Sequence, residues 1–367
     1  MSYGLGSQLK EFLLRAAPGF MPDRWNAPRL LTFMMTYRCN LRCTMCWQWG
    51  EQGLFHEMSR EHEVQQLDLA SLRSVIDDVA EDGTGVFLWG GEPFLHRDLM
   101  AFVEHVKSKG LYCSINTNGT YLPREARRLV DLGVDAVMVS VDGPREIHDS
   151  IRGMQGSFQK IADGVAAIRE ARNGAGRKPE IIVNTTISPG NQKNLLETRD
   201  VVEGMGADQM ILSQLWFTTE QIGRANEAYF REKFDAHAAS WRGFVMDVSV
   251  LDTERIAEQM RQMSLKDSAM KLRFLPDLHP GQVDAYYRRP EESFGKTRCF
   301  VPWLESEILP SGEVTPCSDR PDLIMGNVKR QRFREIWNND LYRSFRRAMR
   351  EDGLFPYCSR CCGLWSH

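Results

Sequence analysis

Short apolar runs alternate with amphipathic helical patterns between residues 30 and 217, and this alternation constrains the fold more than any other feature. The intervening segments place apolar residues at i, i+3 and i+4 and carry a glycine near their ends, as amphipathic helices do. Tandem strands linked by helices predict a parallel sheet covered by helices, either a barrel or a doubly wound sheet. The candidate strands are residues 30–36, 85–90, 111–119, 135–143, 180–188 and 208–217.

The remaining segments have different compositions. With 367 residues, the chain is long enough for roughly two domains of ~100–200 residues. Residues 218–297 are mostly helical and polar, which indicates a helical bridge. Residues 298–367 hold five cysteines and little regular pattern, which indicates a small separate domain. Residues 1–29 include "QLKEFLLRAA", an amphipathic segment that either packs on the body of the protein or contacts a membrane surface or a partner.

Charge and hydropathy exclude several classes of protein. The net charge of −3 argues against nucleic-acid or anionic-membrane binding, which needs a basic excess. No apolar run approaches the ~20 residues of a membrane span. The first apolar run is short and broken by Lys10, Glu11 and Arg15, so it does not resemble a secretory signal. We therefore expect a cytoplasmic protein, in which clustered cysteines bind metal more often than they form disulfides.

Three cysteines directly follow the first candidate strand. Cys39, Cys43 and Cys46 have the spacing C-x-x-x-C-x-x-C. The carboxyl ends of parallel strands carry the chemistry in barrels and doubly wound sheets alike. Soft thiolates suit zinc or iron–sulfur clusters. Structural zinc normally takes four protein ligands, and no histidine or fourth cysteine lies nearby. A 4Fe–4S cluster held by three thiolates keeps one iron open for another ligand.

A C-x-x-x-C-x-x-C loop after the first strand of a βα barrel resembles the radical S-adenosylmethionine (SAM) superfamily. The resemblance covers residues 30–217 and implies a partial (β/α)6 TIM-like barrel. It also implies that the amino and carboxylate groups of SAM chelate the open iron. An electron from the cluster then cleaves the sulfonium and releases a 5′-deoxyadenosyl radical. Zinc or a redox-active cysteine trio remains the alternative for this loop.

The turn after the second strand matches the same family. It reads Gly90-Gly91-Glu92-Pro93, and in the family a G-G-E-P turn lines the SAM amino group. Glycines let backbone carbonyls approach a cation closely, and a carboxylate adds charge complementarity. The alternative interpretation is an ordinary β-turn.

Later strands add further SAM contacts by resemblance. "VSVDGPREIHDSIRG" implies that Ser140 and Arg152 hold the SAM carboxylate, because a guanidinium fork fits a carboxylate. Asn184 or Thr185 would contact the ribose, and Met45 would lie near the adenine. Each of these residues also has an ordinary structural interpretation, such as a surface ion pair for Arg152.

The catalytic base is not identified by the sequence. Asp142 and Glu305 are weak candidates, since solvated or ion-paired carboxylates are more common. Cys113 lies in a candidate strand and is expected in the core. Trp47 and Trp49 follow the cysteine loop, where they either cap a cluster or simply pack. The histidines form no metal-binding pattern and are expected to be structural: His96, His105 and His148.

The C-terminal cysteines resemble a second known domain. "CFVPWLESEILPSGEVTPC" has the pattern C-x12-G-x4-C and is followed by G-N and I-W-N elements, as in the SPASM domain of radical SAM enzymes. The cysteines suffice for one 4Fe–4S cluster, as in the shortened "twitch" form. A zinc site or a disulfide framework is the alternative. The resemblance implies the ligands Cys299, Cys317, Cys358 and Cys361, with Cys362 as a possible substitute.

Together these features predict a radical SAM enzyme of oxidoreductase type with SAM and two 4Fe–4S clusters. The auxiliary cluster would accept an electron from the substrate radical. Its substrate is expected to be a peptide or protein side chain. Only about thirty residues precede the first strand, too few for the winged-helix leader-binding module of many peptide-modifying relatives. Dehydrogenation or rearrangement of a small polar molecule, of the sugar or aminocyclitol type, is thus the alternative, and a non-catalytic electron carrier is a more distant one. Flavodoxin or ferredoxin is the expected reductant.

Overall fold

The computed structural model describes residues 22–51, 53–172, 178–317 and 321–366. The amphipathic segment "QLKEFLLRAA" therefore lies outside the described residues. All six candidate strands are present in the structure, each within the range that the sequence indicated. The strands are β1 (Leu30–Met34), β2 (Gly85–Trp89), β3 (Cys113–Thr117), β4 (Ala136–Ser140), β5 (Glu180–Thr186), β6 (Gln209–Ser213), β7 (Lys271–Leu275), β8 (Glu305–Ile308), β9 (Glu313–Thr315) and β10 (Gly326–Asn327).

The strands form one mixed sheet in the order β10-β9-β8-β1-β2-β3-β4-β5-β6-β7. All pairs from β8 through β7 are parallel, and the β8–β9 and β9–β10 pairs are antiparallel. β7 and β8 lie at opposite ends of the parallel part and do not pair with each other among the described strands. The sheet is thus an open, partial barrel.

Helices connect and cover the strands as the periodicity predicts. Pairs of them pack closely: α4 lies against α6, where a Cβ on Gly164 would come within 2.4 Å of Leu122 Cβ. The helices are α1 (Arg60–Glu63), α2 (Leu69–Val79), α3 (Leu99–Ser108), α4 (Leu122–Asp131), α5 (Arg145–Arg152), α6 (Ser157–Arg172), α7 (Leu195–Met205), α8 (Glu220–Phe234), α9 (Thr253–Leu265), α10 (Val283–Arg288), α11 (Val301–Leu304), α12 (Phe333–Trp337), α13 (Asp340–Glu351) and α14 (Cys362–Ser366).

Two parallel strands come from outside residues 30–217. β7 lies within the segment interpreted as a helical bridge, and β8 lies within the C-terminal segment. Leu272 and Phe274 of β7 pack on the core, whereas Lys271 and Arg273 are exposed. The alternation is clear, but charged residues in so short a run hide it from a search for apolar strands. Among the described residues, the barrel therefore has eight parallel strands, and these come from all three segments.

The C-terminal region is fixed to the barrel by a buried arginine. Arg346 of α13 packs against the rings of both Trp337 and Tyr342, at 4.2 and 4.5 Å from their centroids. Its guanidinium donates to Pro302 O at 2.8 Å and to Asp23 O at 3.0 Å. These bonds connect α13 with the segments that precede β1 and β8. In the described part of the chain, no helix has the length and apolar character needed to span a membrane.

Candidate active site

The cysteine loop lies at the carboxyl end of β1, as predicted. Backbone amides point at two of its sulfurs: Leu41 N donates to Cys39 Sγ at 3.4 Å, and Trp49 N donates to Cys46 Sγ at 3.3 Å. The loop is also held to α5, because Thr44 N donates to Ile151 O at 2.9 Å. Amide donors aimed at sulfur stabilise thiolate over thiol. The loop is therefore built to present sulfur ligands.

Two side chains add donors to the same sulfurs. Arg152 Nη1 lies 3.7 Å from Cys43 Sγ, and Asn118 Nδ2 lies 3.8 Å from Cys39 Sγ. Burial raises the pKa of Cys39 to about 12 and also raises the pKa of Cys43. These thiols stay protonated unless a cation replaces the proton. Three soft sulfurs on one loop, each with a nitrogen donor nearby, match an iron–sulfur cluster better than a hard cation.

The G-G-E-P turn brings its backbone against the cysteine loop. Gly90 and Gly91 have φ values of +87° and +52°. A Cβ on Gly90 would lie 2.2 Å from Met34 Cγ, and one on Gly91 would lie 2.2 Å from Arg38 O. Both positions therefore require glycine on steric and conformational grounds. This contact sets the backbone of the turn at the edge of the cavity beside the cysteines.

Glu92 does not face that cavity. It is fully buried, and its two oxygens accept hydrogen bonds from Thr117 Oγ1 at 2.8 Å, Asn118 N at 2.8 Å and Phe94 N at 3.2 Å. Burial raises the pKa of Glu92 to about 7. The carboxyl group thus connects the turn after β2 to the loop after β3, which carries the Asn118 amide that contacts Cys39.

Side chains alternate between the two faces of a strand, so the other predicted SAM contacts do not all face the cavity. Ser140 and Asn184 line the cavity, as does Met45 of the cysteine loop. Asn184 Oδ1 accepts a hydrogen bond from Ser213 Oγ at 2.8 Å. Thr185 points to the opposite face, where it is fully buried and donates to Val141 O at 2.6 Å. Of the two residues suggested for the ribose, only Asn184 reaches the cavity.

Arg152 is held by a buried carboxylate. Arg152 Nη2 lies 2.5 Å from Asp142 Oδ2, and Asp142 Oδ1 accepts from Thr186 N at 3.1 Å. Asp142 N donates to His148 Nδ1 at 3.1 Å, and burial lowers the pKa of His148 to about 3. Asp142 thus lies behind Arg152 and positions the guanidinium at the cavity wall beside Cys43.

The C-terminal cysteines line the same cavity. Cys299 is buried, and its pKa is raised well above the usual value, chiefly by burial, with further contributions from Cys358 and Cys361. Cys358 and Cys361 sit in one tight turn, with Cys361 N donating to Cys358 O at 3.0 Å. The cysteines that line the cavity here are Cys299, Cys317, Cys358, Cys361 and Cys362.

A single cavity of about 730 Å³ extends from one cysteine set to the other. Three half-buried tryptophans, Trp47, Trp89 and Trp216, line it. Trp47 stacks on Phe244 with 4.9 Å between ring centroids. Sequence patterns did not single out Trp89, Trp216 or Phe244, because tryptophan and phenylalanine are common in cores. Their placement at strand ends and in the segment after β6 comes from the fold.

The remaining candidates have defined places. Glu305 lines the cavity at the start of β8. Trp49 is buried and also borders the cavity, and its Nε1 donates to Tyr37 O at 2.6 Å. The prediction for Cys113 is confirmed, since it is fully buried in β3. The three histidines make structural contacts: His96 Nε2 with Leu67 O, His105 Nε2 with Asp77, and His148 Nδ1 with Asp142 N.

Comparison with known proteins agrees with this geometry. The family described as "Radical SAM superfamily" matches residues 33–200, and the SPASM family, described as "Iron-sulfur cluster-binding domain", matches residues 299–362. An AdoMet-dependent heme synthase of Methanosarcina barkeri is 27% identical over 355 residues, which cover 92% of this chain and 91% of that protein. A PqqA peptide cyclase of Methylocella silvestris is 26% identical over 315 residues, covering 83% of this chain and 72% of that protein.

A solved structure shares the fold. Streptococcus suis SuiB bound to S-adenosylmethionine aligns with a TM-score of 0.63 at 12% identity, covering 92% of this chain and 72% of that one. The chain belongs to the radical SAM superfamily and is an enzyme with a C-terminal SPASM iron–sulfur domain, whose cofactors are S-adenosylmethionine and two iron–sulfur clusters.

Proposed function

We propose that this enzyme oxidises an organic substrate by radical chemistry inside the cavity that both cysteine sets border. The observation that supports the proposal is the continuity of this cavity from Cys39, Cys43 and Cys46 to the C-terminal cysteines. A substrate bound there lies between the site of radical formation and an electron acceptor. An electron carrier has no use for an apolar cavity of this size.

The ligand sets are those that the family resemblance implies, and all of these cysteines line the cavity. Cys39, Cys43 and Cys46 hold the cluster that binds SAM, and the second cluster takes Cys299, Cys317, Cys358 and Cys361, with Cys362 as the alternative to Cys361. When bound, these groups supply reductive cleavage of SAM, hydrogen abstraction from the substrate and uptake of one electron.

The chain's own residues position and shield this chemistry. The G-G turn places backbone at the SAM side of the cavity, and Asp142 holds the Arg152 guanidinium beside Cys43. That guanidinium is also available to a carboxylate, as the family resemblance implies for SAM. Trp47 and Phe244 form an apolar wall that excludes water from the reacting carbon. Water exclusion protects a carbon radical from competing reactions.

The reaction is tested with the anaerobically reconstituted enzyme. We expect about eight irons per chain and, after reduction with dithionite, conversion of SAM to 5′-deoxyadenosine and methionine. The measurement is iron analysis together with liquid chromatography and mass spectrometry. Full iron content without any 5′-deoxyadenosine would support the electron-carrier alternative and contradict the proposal.

Two substrate classes fit the cavity. A peptide side chain is the first candidate, and it agrees with the peptide cyclase among the relatives. A tetrapyrrole is the second, because the wall is apolar and carries Trp47, Trp89 and Trp216, and because the heme synthase relative is named for making a planar macrocycle. The apolar wall disfavours a sugar or aminocyclitol, whose hydroxyls need hydrogen-bond partners. The candidate that raises 5′-deoxyadenosine formation above the substrate-free rate identifies the class.

Glu92 is proposed to act on SAM through the loops that it connects. We expect Glu92→Ala to weaken SAM binding by roughly tenfold to a hundredfold at unchanged iron content, since hydrogen bonds to charged groups are worth about 1.5–3 kcal/mol. Binding is measured by equilibrium dialysis of radiolabelled SAM. Thr117→Val removes one donor to Glu92 while it keeps a side chain of nearly the same size in the cavity lining, so it should also weaken binding. Normal SAM affinity in Thr117→Val together with a loss in Glu92→Ala would instead indicate direct contact between Glu92 and SAM.

A further inference from the structure

The charged residues that line the cavity differ in whether they have a hydrogen-bond or ion-pair partner. Asp322 accepts a hydrogen bond from Ser240 N at 2.8 Å, Arg152 pairs with Asp142, and Arg29 and Glu305 each interact with another residue. Arg273 makes no hydrogen bond or ion pair with any residue in the part of the chain that the structure describes. The charged residues of the lining are Arg29, Arg152, Arg273, Glu305 and Asp322.

Arg273 faces the cavity because of strand alternation. Arg273 and Leu275 of β7 line the cavity, whereas Leu272 and Phe274 pack on the opposite side in the core. Helix α14 lies against β7, and its Gly363 and Leu364 line the same cavity. The guanidinium therefore lies on the cavity side of β7, where its side chain is exposed to solvent and the C-terminal helix forms the adjacent wall.

The register of the sheet fixes the distance from Arg273 to the SAM side. Arg273 pairs with Ile211, Ile211 with Asn184, and Asn184 with Ser140. Three steps between neighbouring strands amount to ~14 Å. A ligand held at Arg273 thus reaches the reacting region only if its anionic group lies on the order of 10 Å from the reacting atom.

We propose that Arg273 binds a carboxylate of the substrate, and that this carboxylate is attached to a broad apolar, aromatic body. One guanidinium balances one negative charge and matches a carboxylate in geometry, whereas a phosphate dianion requires further cations or donors. The half-buried tryptophans of the cavity wall contact the aromatic body. This proposal rests on the proposed function and specifies its substrate class. Propionates of a tetrapyrrole and an acidic side chain next to an aromatic one in a peptide share this chemistry.

The test uses two probes that share an aromatic ring system and a four-carbon chain and differ in the end group, a carboxylate or a neutral hydroxyl. Equilibrium dialysis against the reconstituted enzyme compares 1-pyrenebutyrate with the neutral alcohol 1-pyrenebutanol. Wild type should bind the acid roughly tenfold to a hundredfold more tightly than the alcohol. Arg273→Met should lose this preference and retain its affinity for the alcohol. Lys271→Met, on the same strand but outside the cavity lining, should keep the preference. Equal binding of both probes by wild type, or a preference that survives in Arg273→Met, overturns the proposal.

Two further measurements separate the possible outcomes. Displacement of 1-pyrenebutyrate by coproporphyrin III indicates a tetrapyrrole carboxylate, and displacement by an acetylated Trp-Glu amide indicates an acidic peptide. Failure of both to displace the probe contradicts the substrate class. Lys271→Met should also form 5′-deoxyadenosine at the wild-type rate without substrate. If wild type itself forms none, the proposed function fails, while the carboxylate preference is still decided by the dialysis.

Discussion

Replacing Cys39, Cys43 and Cys46 together by alanine is expected to abolish 5′-deoxyadenosine formation and to remove about half of the iron. The three sulfurs are the acceptors for Leu41 N, Trp49 N, Arg152 and Asn118, and no alanine can take that role. The C-terminal cysteines are supplied by other elements of the fold, so the remaining iron should stay in place. Iron analysis and electron paramagnetic resonance of the reduced protein report both outcomes.

The fold should survive this triple substitution. The loop keeps the bonds from Thr44 N to Ile151 O and from Trp49 Nε1 to Tyr37 O, which involve no sulfur. Cys113→Ala is the matched control, because it removes a buried thiol from β3 and should leave all iron and the SAM cleavage unchanged. Loss of iron in Cys113→Ala, or retention of SAM cleavage in the triple variant, would show that the ligands were assigned wrongly.

Local sequence patterns were sufficient to predict the strands and helices that bury a continuous apolar face. The six strands from β1 to β6 and the helices between them each repeat one period over several residues, and the structure confirms them. The strands β7 and β8 were missed because residues such as Arg273, Glu305 and Glu307 face the interior of the barrel. A polar interior conceals a strand when only apolar runs are sought. The same property makes these strands part of the functional cavity.

The sequence predicted where the site residues lie along the chain, but not the direction in which their side chains point. The sequence places Asn184 and Thr185 side by side, and only the register of β5 decides that Asn184 faces the cavity. Glu92 lies in the predicted turn, but its carboxyl group turns toward Thr117 and Asn118. Such choices depend on hydrogen-bond partners from other strands, which lie ~25 residues away in sequence. No local period contains that information.

Loss of a C-terminal cysteine is expected to separate SAM cleavage from product formation and so to reveal the role of the second cluster. Cys317→Ala and Cys361→Ala are better probes than a change at Cys299, which is buried in the core. In each variant SAM should still be cleaved to 5′-deoxyadenosine, because the loop after β1 and its donors are intact. Formation of oxidised product should fall at least tenfold, since the substrate radical has lost its electron acceptor.

The readout is the ratio of 5′-deoxyadenosine to oxidised product under anaerobic conditions, once a substrate has been identified. Cys362→Ala is the control: if Cys361 is the ligand, this variant should keep both iron and the wild-type ratio. A purely structural cluster predicts a different result, in which Cys317→Ala loses the folded state and SAM cleavage together. Circular dichroism monitors the fold. A folded variant should keep α13, because the hydrogen bonds of Arg346 that hold this helix involve no cysteine. Full product formation in a folded variant shown by spectroscopy to lack the second cluster would rule out the electron-acceptor role.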